Sequence, residues 1–362
     1  MNLLQYTLYI IIAIVLFGVL IAVHEFGHFI TAKLLGVKVN EFSIGMGPRV
    51  LHKTKGETEY SLRILPIGGF CAMEGEDEAT DDPRSFESQA PWKKFIVLVA
   101  GSFMNFVAGV LIILLLFSNA EAFNAPVITG FMDGAEHLQT SGLQEGDRFY
   151  RIDGHRIYFM NDVSLFLSRA EDGIMDLEVI RDGERIFLKD FDFSPKVPYT
   201  DENGQTTYMR GFYYGAAEKA TLGLILKSTW YQAIDCVRLV WISLGDLITG
   251  VAGLRDLSGP IGIVDAVGDA GASAATVGAG LYSVFSFMSL IAINLAVMNL
   301  LPIPALDGGR IFFLIVGCLV KLITGKKLNP KYEGWVNAAG FALLMGLMIM
   351  VAISDVLKLA GV

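Results

Sequence analysis

The chain has 362 residues, 53% of them hydrophobic and only 18% charged, with a formal net charge of −9. Soluble domains carry about 25% charged residues, so the composition points to a membrane protein. The acidic balance excludes general nucleic-acid binding. The three cysteines, Cys71, Cys236 and Cys318, offer neither a disulfide framework nor a C-x-x-C pair.

Residues 1–23 carry no charge, and a run of about 20 apolar residues suffices to cross a bilayer. The run has no basic leading segment and no small-residue cleavage site, so it reads as a retained span rather than a signal peptide. It ends in "AVHEFGHFI", which places His24, Glu25 and His28 within five positions. Four residues along a helix turn about 400°, so His24 and His28 project from one face and can bind one zinc ion. Glu25 stands beside them, where a carboxylate can take a proton from water. Ionisable groups inside a membrane are costly and read as functional. His52, His137 and His155 are lone loop histidines with no such context.

Residues 37–75 alternate and turn, with Lys55-Gly56 as a hairpin turn between two short strands. The stretch "IGGFCAM", 67–73, is the candidate edge strand for pairing with a substrate. Gly68 and Gly69, followed by Phe70, let another backbone approach closely there. A second charge-free run follows at 95–120.

Residues 121–215 hold 17 Asp/Glu and 9 Lys/Arg, which is −8 of the total −9. An acidic domain is therefore expected between membrane parts. In 222–250 the charged residues Lys227, Asp235, Arg238 and Asp246 fall within an arc of about 100° on a helical wheel. This reads as a helix lying in the membrane interface. A fifth crossing is the alternative, and it conflicts with the charge pattern.

From 270 the chain is uncharged until Asp307, and its membrane part is expected to begin near Tyr282. Pro302, Pro304, Gly308 and Gly309 in "NLLPIPALDGGR" break a helix, which membranes tolerate only where the backbone lines an enclosed or wet cavity. Asp307 is the one carboxylate in the 63 residues between Asp269 and Glu333. Zinc held by two histidines needs a third protein ligand, with one position open for water. Asp307 is the candidate, and a helix cap is the alternative. With the apolar "IFFLIVGCLVKL" after Arg310 this reads as one interrupted crossing. The run 334–354 completes four crossings.

Lys33, Lys38, Lys93 and Lys94 flank one side of the spans, as do Lys321, Lys326, Lys327 and Lys331. The positive-inside bias places the 33–94 and 307–333 loops in the cytoplasm. Both termini and the acidic domain then face outward. The expected organisation is an N-terminal membrane part at 1–120, an extracytoplasmic domain at 121–215, an interfacial helix and linker at 216–280, and a C-terminal membrane part at 281–362.

"HEFGH" together with "NLLPIPALDG" resembles the site-2 protease family of intramembrane zinc metalloproteases, in its bacterial RseP/RasP-type branch. "GPRV", "LRILPIGGF", "GSFMNF" and "LSGPIGI" resemble that branch too. The resemblance implies zinc on His24, His28 and Asp307, Glu25 as the catalytic residue, and Asn299 on the substrate backbone. A helix-packing amide is the plain alternative for Asn299. The resemblance also implies single-span membrane substrates, such as trimmed anti-sigma factors or remnant signal peptides, and an upstream site-1-type protease acting first. "SGLQEGDRFYRIDGHRI" with "LEVIRDGERIF" is similar to a bacterial PDZ domain, with Leu143, Phe149, Ile152 and Ile157 as its core. The fold class expected is thus a polytopic α-helical membrane protein with a small β-sheet and an inserted PDZ-like α+β domain. A catalytically silent scaffold and a metal transporter are the competing readings. The intact set of candidate ligands opposes the first, and the lack of an internal repeat opposes the second.

Overall fold

The computed structural model describes residues 3–76, 80–170, 172–200, 206–253, 257–326 and 330–359. Two compact units emerge, Met1–Leu116 with Ala233–Val362, and Phe117–Gln232. Among the described residues four helices are long and apolar enough to cross a membrane: Gln5–Leu34, Pro91–Ser118, Val277–Asn299 and Gly334–Lys358. Of the basic residues that set the expected orientation, Lys327 lies outside the described residues.

In the first unit α1 (Leu3–Leu34) runs through the charge-free segment and the histidine pair. It stops at Gly36, whose φ of +82° is left-handed. Gly36 N–H then donates to Lys33 O at 3.3 Å and Val37 N–H to Ala32 O at 2.9 Å. Those bonds satisfy the last carbonyls, as in a Schellman cap. The next long helix, α2 (Pro91–Ser118), opens on a proline, whose missing N–H costs nothing at a helix start. It crosses α1 where Gly27 meets Ala100 and Gly101, and a Cβ on Gly27 would lie 2.9 Å from the Gly101 Cα. Small residues let membrane helices approach this closely.

The hairpin is larger than the short strands expected from sequence. β1 (Val39–Lys55) and β2 (Thr58–Met73) turn at Gly56-Glu57. Both strands fold back, so the first half of β1 is paired on two sides. Glu41 to Ile44 face Ala72 down to Gly69 on one flank, and Glu59 up to Leu62 on the other. Residues 69–73, within the 67–73 stretch singled out in the sequence, therefore form an outer strand of this sheet. Phe29, Ala32, Val39, Cys71, Met73 and Val97 bury the sheet against α1 and α2.

The stretch expected to be linker contains a helix, α6 (Pro260–Ala272), which follows α5 (Leu222–Thr249). Its glycines pack on aromatic rings of α1: a Cβ on Gly268 would lie 3.0 Å from Tyr6, and one on Gly271 2.6 Å from Tyr9. Tyr6 also hydrogen-bonds Asp265. α7 (Val277–Asn299) starts at Thr276, whose side chain accepts from Ala279 N–H at 3.1 Å. The expected interrupted crossing resolves into α7 and a separate helix, α8 (Asp307–Thr324), joined by a proline-containing loop. The last helix, α9 (Pro330–Leu359), carries buried Asp355, which accepts from Gly259 and Gly262 N–H at 3.0 and 2.9 Å and so ties α9 to the start of α6.

The second unit is built on the sheet β10-β3-β4-β6-β7, with β5 beside β4. Its strands are β3 (Ala122–Phe131), β4 (Arg148–Ile152), β5 (His155–Arg156), β6 (Ile174–Arg181), β7 (Glu184–Asp192) and β10 (Phe212–Lys219), with β8 (Val197–Thr200) and β9 (Thr206–Met209) as a separate hairpin. Helices α3 (Glu136–Thr140) and α4 (Met160–Arg169) complete it. Leu143, Phe149, Ile152 and Ile157 are all buried. Fully buried Asp147 is held by Arg181 through two contacts of 2.7 and 2.8 Å. The outermost pairing, Ala122 with Lys219, brings both ends of the unit together.

Candidate metal centre

His24 and His28 lie one turn apart on α1 and are both buried. Their Nε2 atoms are 3.2 Å apart. Asp307, at the start of α8, puts Oδ2 at 3.2 Å from His24 Nε2 and 3.3 Å from His28 Nε2. Two ligands of one tetrahedral zinc, each about 2.05 Å from it, are about 3.3 Å apart. All three edges of the triangle match that span. Asp307 Oδ2 is also buried with no hydrogen-bond partner. A buried carboxylate oxygen without a donor is costly unless a cation faces it. Both observations fit a divalent metal on these three residues, and no other such cluster occurs among the described residues.

The surroundings orient the rings. His28 Nδ1 lies 2.9 Å from Val97 O, so it carries the proton and leaves Nε2 free to bind metal. Asn299 Nδ2 lies 3.5 Å from His24 Nδ1. The nitrogen of that amide faces the ring, and only a turn of the amide plane would bring its oxygen to accept an Nδ1 proton. Gly101 of α2 faces both rings, and a Cβ there would lie 2.7 Å from His24 Cε1.

Asp307 is reached by an unusual chain path. Ala305 has φ +70°, and Gly308 and Gly309 lie against the carbonyl oxygens of Leu300, Leu301 and Ile303. Side chains at 308 and 309 would collide with that backbone, which explains the Gly-Gly after Asp307.

Glu25 points toward the hairpin. A Cβ on Gly69 would lie 3.4 Å from Glu25 Cγ. The structure thus gathers His24, His28, Asp307 and Asn299, with Glu25 between them and the outer strand at Gly69. Gly68 faces Met46 instead, and the Phe70 ring is covered by Arg63 at 4.9 Å. The sequence reading missed Val97, whose contribution is a backbone carbonyl and leaves no signal. It also missed the pair of Arg310 with Glu76, because Glu76 sits in a run of acids that reads as a solvated loop.

Three side chains that could hold a metal ion, set between apolar helices, are the arrangement that a membrane metallohydrolase needs. The chain matches Peptidase family M50 over residues 12–347 and belongs to that family of site-2 proteases. It is 39% identical over 351 residues to a protein named "putative zinc metalloprotease" in Clostridium perfringens, covering 97% of this chain and 99% of that one. A protein with the same description in Clostridium acetobutylicum is 36% identical, over 96% and 97% of the two chains. The regulator of sigma-W protease RasP of Bacillus subtilis is 27% identical over 97% of this chain and 98% of its own. The protein is thus a multi-pass membrane zinc metalloprotease of the intramembrane type.

Proposed function

We propose that His24, His28 and Asp307 hold the zinc, and that Glu25 is the general base and acid in cleavage of transmembrane segments. The observation that carries this reading is the triangle of donor atoms with 3.2 and 3.3 Å edges, with Glu25 beside it. Zinc bound there supplies Lewis acidity, acidifying water and polarising the scissile carbonyl. Glu25 takes the proton of the attacking water on a carboxylate oxygen and delivers it to the leaving amide nitrogen. Water oxygen bonds to the carbonyl carbon as the C–N bond breaks. Asn299 orients His24 and lies where it can also meet the substrate backbone.

A transmembrane helix has its amides locked in hydrogen bonds and must extend before it is cut. The outer strand at 69–73 provides backbone partners for an extended segment, with Gly68, Gly69 and Phe70 at its start. Its closeness to Glu25 supports this role.

The substrates are single-span membrane proteins, with trimmed anti-sigma factors and remnant signal peptides as the leading classes. The name of the Bacillus subtilis relative, a regulator of sigma-W, supports the first class. An upstream site-1-type protease would do the trimming. The domain at 121–215, which lies within unit 117–232, acts as an extracytoplasmic PDZ-like domain that excludes untrimmed substrates. Burial of its four expected core residues and its antiparallel sheet support the PDZ-like reading. The lysine flanks support termini outside and the centre toward the cytoplasm, with α5 in the interface. Comparing membrane peptides from cells carrying the natural chain or Glu25→Gln tests the substrate assignment. Span fragments should accumulate uncut with Glu25→Gln, and identical peptide sets would contradict it.

A further inference from the structure

Glu76 lies just beyond the end of β2. Its Oε2 accepts from the N–H of Met73, the last residue of that strand, at 3.2 Å. Its Oε1 pairs with Arg310 Nη1. Arg310 stands one turn after Asp307 on α8. One carboxylate therefore carries both the end of the outer strand and the first turn of the helix that presents Asp307.

That turn has an anchor outside its own loop. Leu306, at the N-cap, gives no side-chain cap. The preceding loop contains Pro302 and Pro304, which lack an N–H, and a left-handed Ala305; its carbonyls at Leu300, Leu301 and Ile303 pack on Gly308 and Gly309, and the side chain of Arg310 adds an anchor outside the loop. A partly exposed ion pair contributes little to stability, and Arg310 is about a third exposed. Its consequence is geometric, because metal donors must be held to within about 0.5 Å.

We propose that Glu76 and Arg310 are positioning residues that fix the angle at which Asp307 faces His24 and His28, referenced to the strand beside Glu25. The inference rests on reading those three side chains as the metal donors. The pair acts through α8 and touches neither substrate nor metal.

The test is a double-mutant cycle on metal affinity, using the purified full chain in detergent and a competing chelator. Glu76→Gln and Arg310→Met should each weaken zinc binding about tenfold, in the range seen for outer-shell partners of metal ligands. The double variant should be no weaker than the worse single, because both remove one interaction. Arg310→Lys, which keeps the charge, should recover most of the affinity and guards against a variant that fails to fold. The visible absorption of the cobalt-substituted protein should shift in both single variants, which a general loss of stability with unchanged donor geometry would not cause. Unchanged zinc affinity and cobalt spectrum, or costs that add in the double variant, would overturn the proposal. Asp307→Ala separates the layers: if it retains zinc, the donor assignment fails, whatever the cycle shows.

Discussion

Gly101 on α2 lies so close to His28 on α1 that a Cβ at position 101 would overlap the imidazole Nε2. The glycine is thus part of the candidate metal centre, although it offers no ligand atom of its own. Its lack of a side chain leaves room for the donor atom and brings α2 to within packing distance of the motif helix.

Gly101→Ala should therefore cost metal before it costs folding. The added methyl meets an imidazole braced on Val97 O, so the ring must turn away from Asp307. We expect at least a tenfold loss of zinc affinity, in line with displaced supporting groups around metal ligands. Elemental analysis of purified protein, beside its thermal profile, checks this. Full zinc occupancy in Gly101→Ala would show that the ring has room to spare.

The donor triangle carries a second expectation. His24→Ala, His28→Ala and Asp307→Ala should each lose both zinc and activity, since two donors do not hold zinc tightly. Prolonged chelation should silence the natural chain, and added zinc should restore it. A variant that loses one of these donors yet keeps stoichiometric zinc would remove that residue from the ligand set.

The two halves of the site differed in how visible they were from sequence. His24, Glu25 and His28 stood out because three ionisable groups follow a run with no charge, and Asp307 because it is the lone acid in a long apolar stretch. Helix α6 was hidden for the opposite reason. Its small residues and glycines look like linker, and only the aromatic rings of Tyr6 and Tyr9 on α1 make them a packing surface. The doubled pairing of β1 was hidden as well, because residues 41–44 pair on both sides with parts of one strand far apart in sequence. Local alternation cannot report that.

Substrate pairing at the outer strand depends on backbone groups, so proline is the informative substitution. Along a strand only alternate residues turn their hydrogen bonds outward. Phe70→Pro and Ala72→Pro should then behave alike and differ from Cys71→Pro, at equal zinc content. Cleavage of a single-span substrate is the readout. Equal damage at all three positions would leave residues 69–73 as a brace and not a docking edge.

The membrane orientation is open to direct labelling. A cysteine at Lys55 should react only from the cytoplasmic side, and one at Asp182 only from outside, in a background without Cys71, Cys236 and Cys318. The reverse pattern would place the metal centre nearer the outer face.

Asp355 accepts two N–H groups at the start of α6, at 3.0 and 2.9 Å. Asp355→Ala removes that cap and should destabilise the chain by about 1–2 kcal/mol, the usual cost of a lost helix cap. Thermal unfolding in detergent reads this out. An unchanged transition would mean that α9 is held by its other contacts, such as Gly340 against Pro304.

The most direct test sets Glu25→Gln against the natural chain on one purified single-span substrate, with the cut located by mass spectrometry and zinc measured in the same samples. The expected result is a cut inside the apolar segment by the natural chain, and none by Glu25→Gln at equal zinc content. Equal cleavage by both proteins, or a cut confined to the substrate's soluble part, would contradict a Glu25-dependent protease working within the membrane.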